Sequence, residues 1–229
     1  MQTTSDLYKQ LLRTPGCRKE IAVEIAGETY GENRVIMLNP TPRLFRNNKM
    51  EVGSAVAADL QFSLHHPGDI PVGAQIIPKY RLRVGDRVSE WVQKGVYYIY
   101  TREPNAKEDT LFITAFDAMV RGDKVWEPDQ ALEFPMTMRR AVEVIAALMG
   151  VEVDNLESIS TEYTIDYPAN DWTQRNILQF IAAAHGGNFS MTDLGRLRLV
   201  LLNDLPEETN YLVDSYGSAI TFGGVRILV

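Results

Sequence analysis

Residues 172–201 read WTQRNILQFIAAAHGGNFSMTDLGRLRLVL. Asn170, Asp171 or Thr173 can cap a helix whose apolar side is Ile177, Leu178, Ile181, Ala182 and Ala184. Gly186-Gly187 stop it. Asn188–Met191 and Arg196–Leu202 then alternate as two strands across Thr192-Asp193-Leu194-Gly195, a hairpin with glycine at the strained position. No side chain in this unit is placed to do chemistry, so it reads as a packing module.

Upstream, Thr137 can cap a helix that runs to Met149 and ends at Gly150, with Val142, Ile145, Ala146 and Met149 as its stripe. Val151–Val153 and Tyr163–Tyr167 read as short strands. Earlier still the period is two. Ile21, Val23 and Ile25 alternate with Ala22, Glu24 and Ala26, and Val35–Leu38 is the expected return strand. Val56–His65 puts Val56, Ala58, Leu60, Phe62 and Leu64 on one face and ends at Pro67-Gly68-Asp69. Ile76–Val84 carries Pro78, which places its start at a sheet edge. Val88–Val92, Val96–Thr101 and Leu111–Phe116 complete the set, with a polar loop over Pro104–Asp109. A short helix over 5–13 precedes them, capped by Ser5 or Thr4 and ended by Pro15-Gly16. Short strands spaced in this way, followed by two helices and a hairpin, predict a mainly β protein with an α+β portion.

Composition narrows the function. The chain has 229 residues, 45% of them hydrophobic and 23% charged, with a net charge of −7. That suits one large domain or two small ones. Its basic residues are scattered, which lowers the prior for a phosphate-gripping face. With one cysteine, Cys17, no intrachain disulfide can form. Neither a signal peptide nor a membrane-spanning apolar run is expected.

Candidate chemical groups are sparse. His65-His66 closes a strand, where adjacent side chains point to opposite faces and rarely share a metal. His185 sits in the last turn of a helix and reads as a capping or packing group. Cys17 has no base nearby in sequence. Glu24, Glu28, Glu32, Asp59, Asp69, Asp86 and Glu90 are the expected charges of outer strand faces, and a hydrolase would need two of them facing one another. Gly186-Gly187 and Gly223-Gly224 lack the context of a phosphate loop. Trp91, Trp126 and Trp172, with Tyr97, Tyr98 and Tyr100, could form a sugar-stacking face, although such aromatics are more often core or interface. No catalytic, cofactor or metal residue is assigned.

One resemblance covers nearly the whole chain. RKEIAVEIAGETYGENRV (18–35), MEVGSAVAADLQFSLHHPGDIP (50–71), SEWVQKGVYYIYTREPN (89–105) with LFITAFDAMV (111–120), and the helix–strand–helix–hairpin unit at 135–202 follow in the order and spacing of phage and prophage tail-hub (baseplate-hub) proteins. The resemblance implies a tail-tube-like β-barrel with an N-terminal helix over 1–130. It implies a small α+β domain over 131–195 and the start of a second β domain over 196–229. It further implies a structural, non-enzymatic role in a virion tail assembled in the bacterial host. Three copies would form a ring joining the tail tube to a spike or fibre and meeting other tail proteins, with no sequence-specific nucleic-acid binding. A DNA-conducting lumen would make use of the acidic balance, since carboxylates repel phosphates. Hub proteins are usually longer, so the apolar ending GGVRILV (223–229) is expected to be an open or donated edge strand, and Ile220–Val229 and the Ile76–Val84 edge strand are the expected interfaces. The competing expectations are a carbohydrate- or receptor-binding module and, behind it, a cell-wall hydrolase.

Overall fold

The computed structural model describes residues 3–45, 49–127, 133–167 and 171–202, and the backbone alone of 221–222 and 225–226. Helix α1 (Asp6–Leu12) is capped by the Ser5 hydroxyl, which accepts from the Tyr8 N–H. Nine strands follow: β1 (Arg18–Ile25), β2 (Glu28–Gly31), β3 (Val35–Thr41), β4 (Asp59–His65), β5 (Gln75–Val84), β6 (Arg87–Val88), β7 (Val92–Gln93), β8 (Tyr97–Asn105) and β9 (Thr110–Phe116). They form one antiparallel sheet in the order β2-β1-β5-β8-β9-β4-β3, with β6 and β7 paired to β5.

The sheet curls around a single core. Val23 and Tyr30 from one end of the path, Val35 from the other, and Leu60, Phe62, Leu64, Ile76, Tyr97 and Ile113 between them pack together. Its two terminal strands, β2 and β3, are joined by the tight turn 32–34, where the Arg34 N–H donates to the Gly31 carbonyl. No ladder joins β2 to β3 among the described residues. The barrel expected over 1–130 is therefore an open, curled sheet.

Several strand expectations shift for local reasons. The return strand of β1 is β2, in register Val23↔Tyr30. Val35–Thr41 pairs instead with β4. β4 begins at Asp59 because Asp117 holds Ala58 from both sides: the Ala58 N–H donates to Asp117 Oδ2 at 2.9 Å and its carbonyl accepts from the Asp117 N–H at 3.0 Å. Ile76–Val84 is no edge. β5 is bonded to β1 along its length and to β6, β7 and β8 on the other side. Pro78 is tolerated because its carbonyl accepts from the Lys94 N–H, so its missing N–H faces the stretch between β7 and β8. β8 runs through Pro104 to Asn105, beyond the expected strand end, because past Ile99, whose N–H donates to the Ala74 carbonyl, its ladder is with β9 alone.

The stretch between β7 and β8 turns on Gly95. Its φ is +110°, and a Cβ there would lie 2.5 Å from the Tyr97 ring. Gly95→Ala is expected to cost about 2–3 kcal/mol, combining left-handed strain with overpacking. Gly27→Ala, at φ +88° but in open space, should cost about 1 kcal/mol. Thermal unfolding of the two variants checks the order; equal losses would remove the packing contribution.

A second core holds the α+β unit. Met136–Thr137 (β10) pairs with Thr164–Ile165 (β11). Helices α2 (Met138–Met149) and α3 (Gln174–Ala184) lie against the hairpin β12 (Gly187–Met191) and β13 (Leu197–Leu201). Thr137 caps α2, Gly150 ends it at φ +70°, and Thr173 with Asn176 forms a capping box on α3. Val142, Ile145, Met149, Ile177, Ile181, Phe189 and Leu197 fill the core, joined by Ala55, Met119 and Trp126 from the N-terminal segments. Both hairpin edges are covered. Residues 53–55 run beside β12, with the Gly53 N–H donating to the Gly187 carbonyl and the Phe189 N–H to the Ser54 carbonyl. Glu152–Asn155 cover β13, where the Asn155 side chain accepts from the Leu199 N–H and donates to its carbonyl. The expected second β domain, 196–229, lies mostly outside the described residues; of it, β14 (Thr221–Phe222) pairs with β15 (Val225–Arg226).

Candidate functional site

The sheet and the hairpin meet at a cleft of about 260 Å³ whose lining includes Arg43, Tyr97, Asp117, Thr192 and Asp193. Asp117 is its one deeply buried carboxylate. Burial pushes its carboxyl up to about 6, against the two N–H donors that favour its charged form. Such a group is a natural acid–base candidate. Its geometry gives it other work. Oδ2 accepts from the Ala58 N–H, and Oδ1 accepts from the Met119 N–H at 3.0 Å, capping the 3-10 turn Ala118–Asp123. Both oxygens are thus engaged by backbone, and Asp117 ties the sheet to the second core. The Tyr97 hydroxyl is also pushed up, chiefly by burial. Across the same junction the Gly95 N–H donates to the Asp193 carbonyl, and a Cβ on Gly195 would lie 2.9 Å from Val96.

The histidines separate. His66 pairs through Nδ1 with the Asp109 carboxylate, while His65 faces an open groove on the outer sheet with Glu103 and Glu108. His185 follows α3. Its Nδ1 lies 2.8 Å from the Ile181 carbonyl and its Nε2 accepts from the Ser160 N–H at 2.9 Å, which assigns the proton to Nδ1 and makes the ring a structural link. Cys17 is half-exposed in the turn before β1. No group of three His, Cys, Asp or Glu side chains able to hold a metal occurs among the described residues.

Most of the carboxylates singled out in the sequence are partnered, as is Glu20, which was not among them. Glu20 bridges Arg81 (2.6 Å) and Arg83 (2.5 Å), Glu24 meets Lys79 and Glu32 meets Arg18, each at 2.5 Å, and Asp59 meets Arg43 at 2.7 Å. Glu90 accepts from the Ser5 N–H and hydroxyl. The outer face of β1 and β5 therefore alternates in sign and is not an acidic surface.

The expected aromatic face does not assemble. Trp126 and Tyr97 are core, Trp91 lies under the Arg81 guanidinium, Tyr98 lies under that of Arg121, and Tyr100 packs edge-on against Phe116. Trp172 is instead joined by two residues that the sequence did not single out, Tyr167 and Phe180, around a depression on the α+β unit.

Two solved tail proteins share this architecture over part of their length. The 43 kDa tail protein of prophage MuSo2 from Shewanella oneidensis superposes with a TM-score of 0.52 at 13% identity, over 79% of this chain and 54% of that one. The tail protein from Neisseria meningitidis MC58 superposes with a TM-score of 0.51 at 15% identity, over 79% and 50%. The chain spans about half the length of these structures. No protein-family model and no curated protein matches the sequence. The likeness is one of fold, carried by backbone topology where sequence has diverged. No helix among the described residues is long and apolar enough to cross a membrane.

Proposed function

We propose that this chain is a structural component of a phage or prophage tail tip or baseplate hub, joining the tail tube to a spike or fibre. The observation that carries this reading is the shared fold with two tail proteins over 79% of the chain. Two features support it. The most buried ionisable carboxylate of the central cleft is spent on backbone N–H groups. The sheet also keeps one edge suited to another chain. β2 is a short edge strand of four residues, and both hairpin edges are covered. β3 is different. Its seven residues, VIMLNPT, carry no charge, it pairs with β4 on one side, and Ile36 is 51% exposed. Its apolar half, Val35–Leu38, is a template for pairing unless a partner covers it, while Pro40 and the bulge at Ile36 restrict the register such a partner can take.

On this reading the chain self-associates, as a trimer in the assembled hub. Light scattering across a concentration series tests it, with a discrete trimer expected. Placing charges on the edge with Ile36→Lys and Asn39→Lys should shift the mass towards monomer by about tenfold in concentration, with the melting temperature little changed. A monomer at every concentration, or clearing of cell-wall material in a zymogram, would overturn the proposal.

A further inference from the structure

Tyr167 is 80% exposed, Phe180 47% and Trp172 45%, and all three face one depression of about 280 Å³ between β11 and α3. Its floor is apolar, formed by Ile165 and Ile177, and its rim carries Thr164 and Asp166. On the far side of Trp172 and Phe180 lies a second depression, whose polar lining is Asn176 and Gln179. The two rings stand edge to face, 6.3 Å between centroids and 74° apart, and form the wall between the depressions.

We infer that these paired depressions bind an uncharged saccharide chain, one sugar ring on each side of the Trp172–Phe180 wall. A pyranose presents an apolar C–H face edged by hydroxyls, which calls for exposed aromatic surface flanked by a few polar groups. Both are present. Thr164 Oγ1 donates to Asp166 Oδ1 at 3.0 Å, which leaves the other carboxylate oxygen to accept from a sugar hydroxyl. Asn176 Oδ1 is committed to the helix cap, and its amide N–H₂ leans on Gln179 Oε1 at 3.4 Å. The Gln179 amide N–H₂ is then the donor left for ligand. The size of the first depression suits a single ring at the small end of ligand sites. Charge selects within the class. Neither depression is lined by Lys or Arg, and Asp166 sits on the rim, so uronic, sialic or phosphate-bearing glycans meet repulsion without a compensating cation. The Trp172 carbonyl already accepts from the Trp126 N–H at 2.6 Å, so the backbone under the indole is fixed before ligand arrives.

The site is independent of the hub reading and is tested apart from it. The chain is titrated by calorimetry and tryptophan fluorescence with neutral tetrasaccharides of N-acetylglucosamine, of β-linked glucose and of α-linked glucose, and with a tetragalacturonate as the anionic control. Saturable binding of at least one neutral tetramer, and none of the anionic one, is expected. Trp172→Ala should weaken it by about tenfold or more and Tyr167→Ala by a few-fold. Tyr167 projects into solvent, so its variant stays folded whatever becomes of the indole. No binding of any neutral tetramer at about 10 mM, equal affinity in Trp172→Ala, or a self-associated chain that Trp172→Ala dissociates would each overturn the inference, the last by showing that the patch is a contact between copies. Trimers without sugar binding would sink the site and leave the hub; sugar binding by a permanent monomer would do the reverse.

Discussion

Asn188→Leu should destabilise the protein by about 4 kcal/mol, a large part of the 5–15 kcal/mol typical of a folded domain. Asn188 is fully buried as the second residue of β12. Its Oδ1 accepts from the Ser54 N–H and its Nδ2 donates to the Glu51 carbonyl, both at 2.7 Å. One amide thus satisfies a donor and an acceptor of a segment over 130 residues away in sequence, which is bridged to β12 at Ala55. Leucine keeps the branched skeleton but is bulkier, so what is lost is polar and any overpacking adds to the cost. Each backbone group left unpaired costs about 1–3 kcal/mol. Asn188→Asp keeps the acceptor for Ser54, loses the donor for Glu51 and buries a charge, so it should be worse than leucine at neutral pH. Urea titration reads the effect as a shift in midpoint at constant slope. A loss below about 1 kcal/mol would mean that residues 51–55 are held by their apolar contacts alone.

Asp117 gives the second large effect. Its folded value is raised from 3.8 to about 6. Between these values the native state binds more protons than the unfolded state, so the stability it contributes is full below about pH 4, falls as pH rises to 6 and is level above. The rise corresponds to about 3 kcal/mol. Glu20 and Glu90, held low by Arg83, Arg81 and Ser5, act in the opposite sense as pH falls. The measurement is therefore a difference: the unfolding free energy of Asp117→Asn minus that of the wild type, from pH 4 to 7. It should move by about 3 kcal/mol in favour of asparagine at the upper end. Parallel curves would show that the carboxyl titrates normally. Asp117→Ala, which strands the Ala58 and Met119 N–H groups, should cost about 2–4 kcal/mol at pH 5.

Elements with chemical punctuation were legible from the sequence. Ser5, Thr137 and Thr173 cap their helices, Gly150 ends α2 as expected, and Gly195 closes the hairpin. The open sheet was harder to read. β2 is four residues between glycines and carries no period long enough to count. Pro78 suggested an edge because a missing N–H is costly inside a regular ladder, but here it faces the stretch between two ladders. Residues 51–55, EVGSA, have no strand pattern, and their pairing depends on one asparagine that nothing local marks. The aromatic depressions were half visible. Trp172 stood out by type, whereas Tyr167 and Phe180 are brought beside it only by the placement of β11 and α3 on either side of the depression.

The pairing of residues 51–55 with β12 also sets a schedule for synthesis. At the usual rates of elongation, the ribosome needs on the order of ten seconds to deliver β12 after this segment has emerged. Through that interval the backbone of Gly53 and Ser54 lacks the β12 groups it bonds in the fold, and β5 is already able to close on β1. The nascent chain must therefore carry a finished sheet beside a segment still waiting for β12, which is the window in which a chaperone, or a neighbouring copy on the same message, has most influence on the outcome.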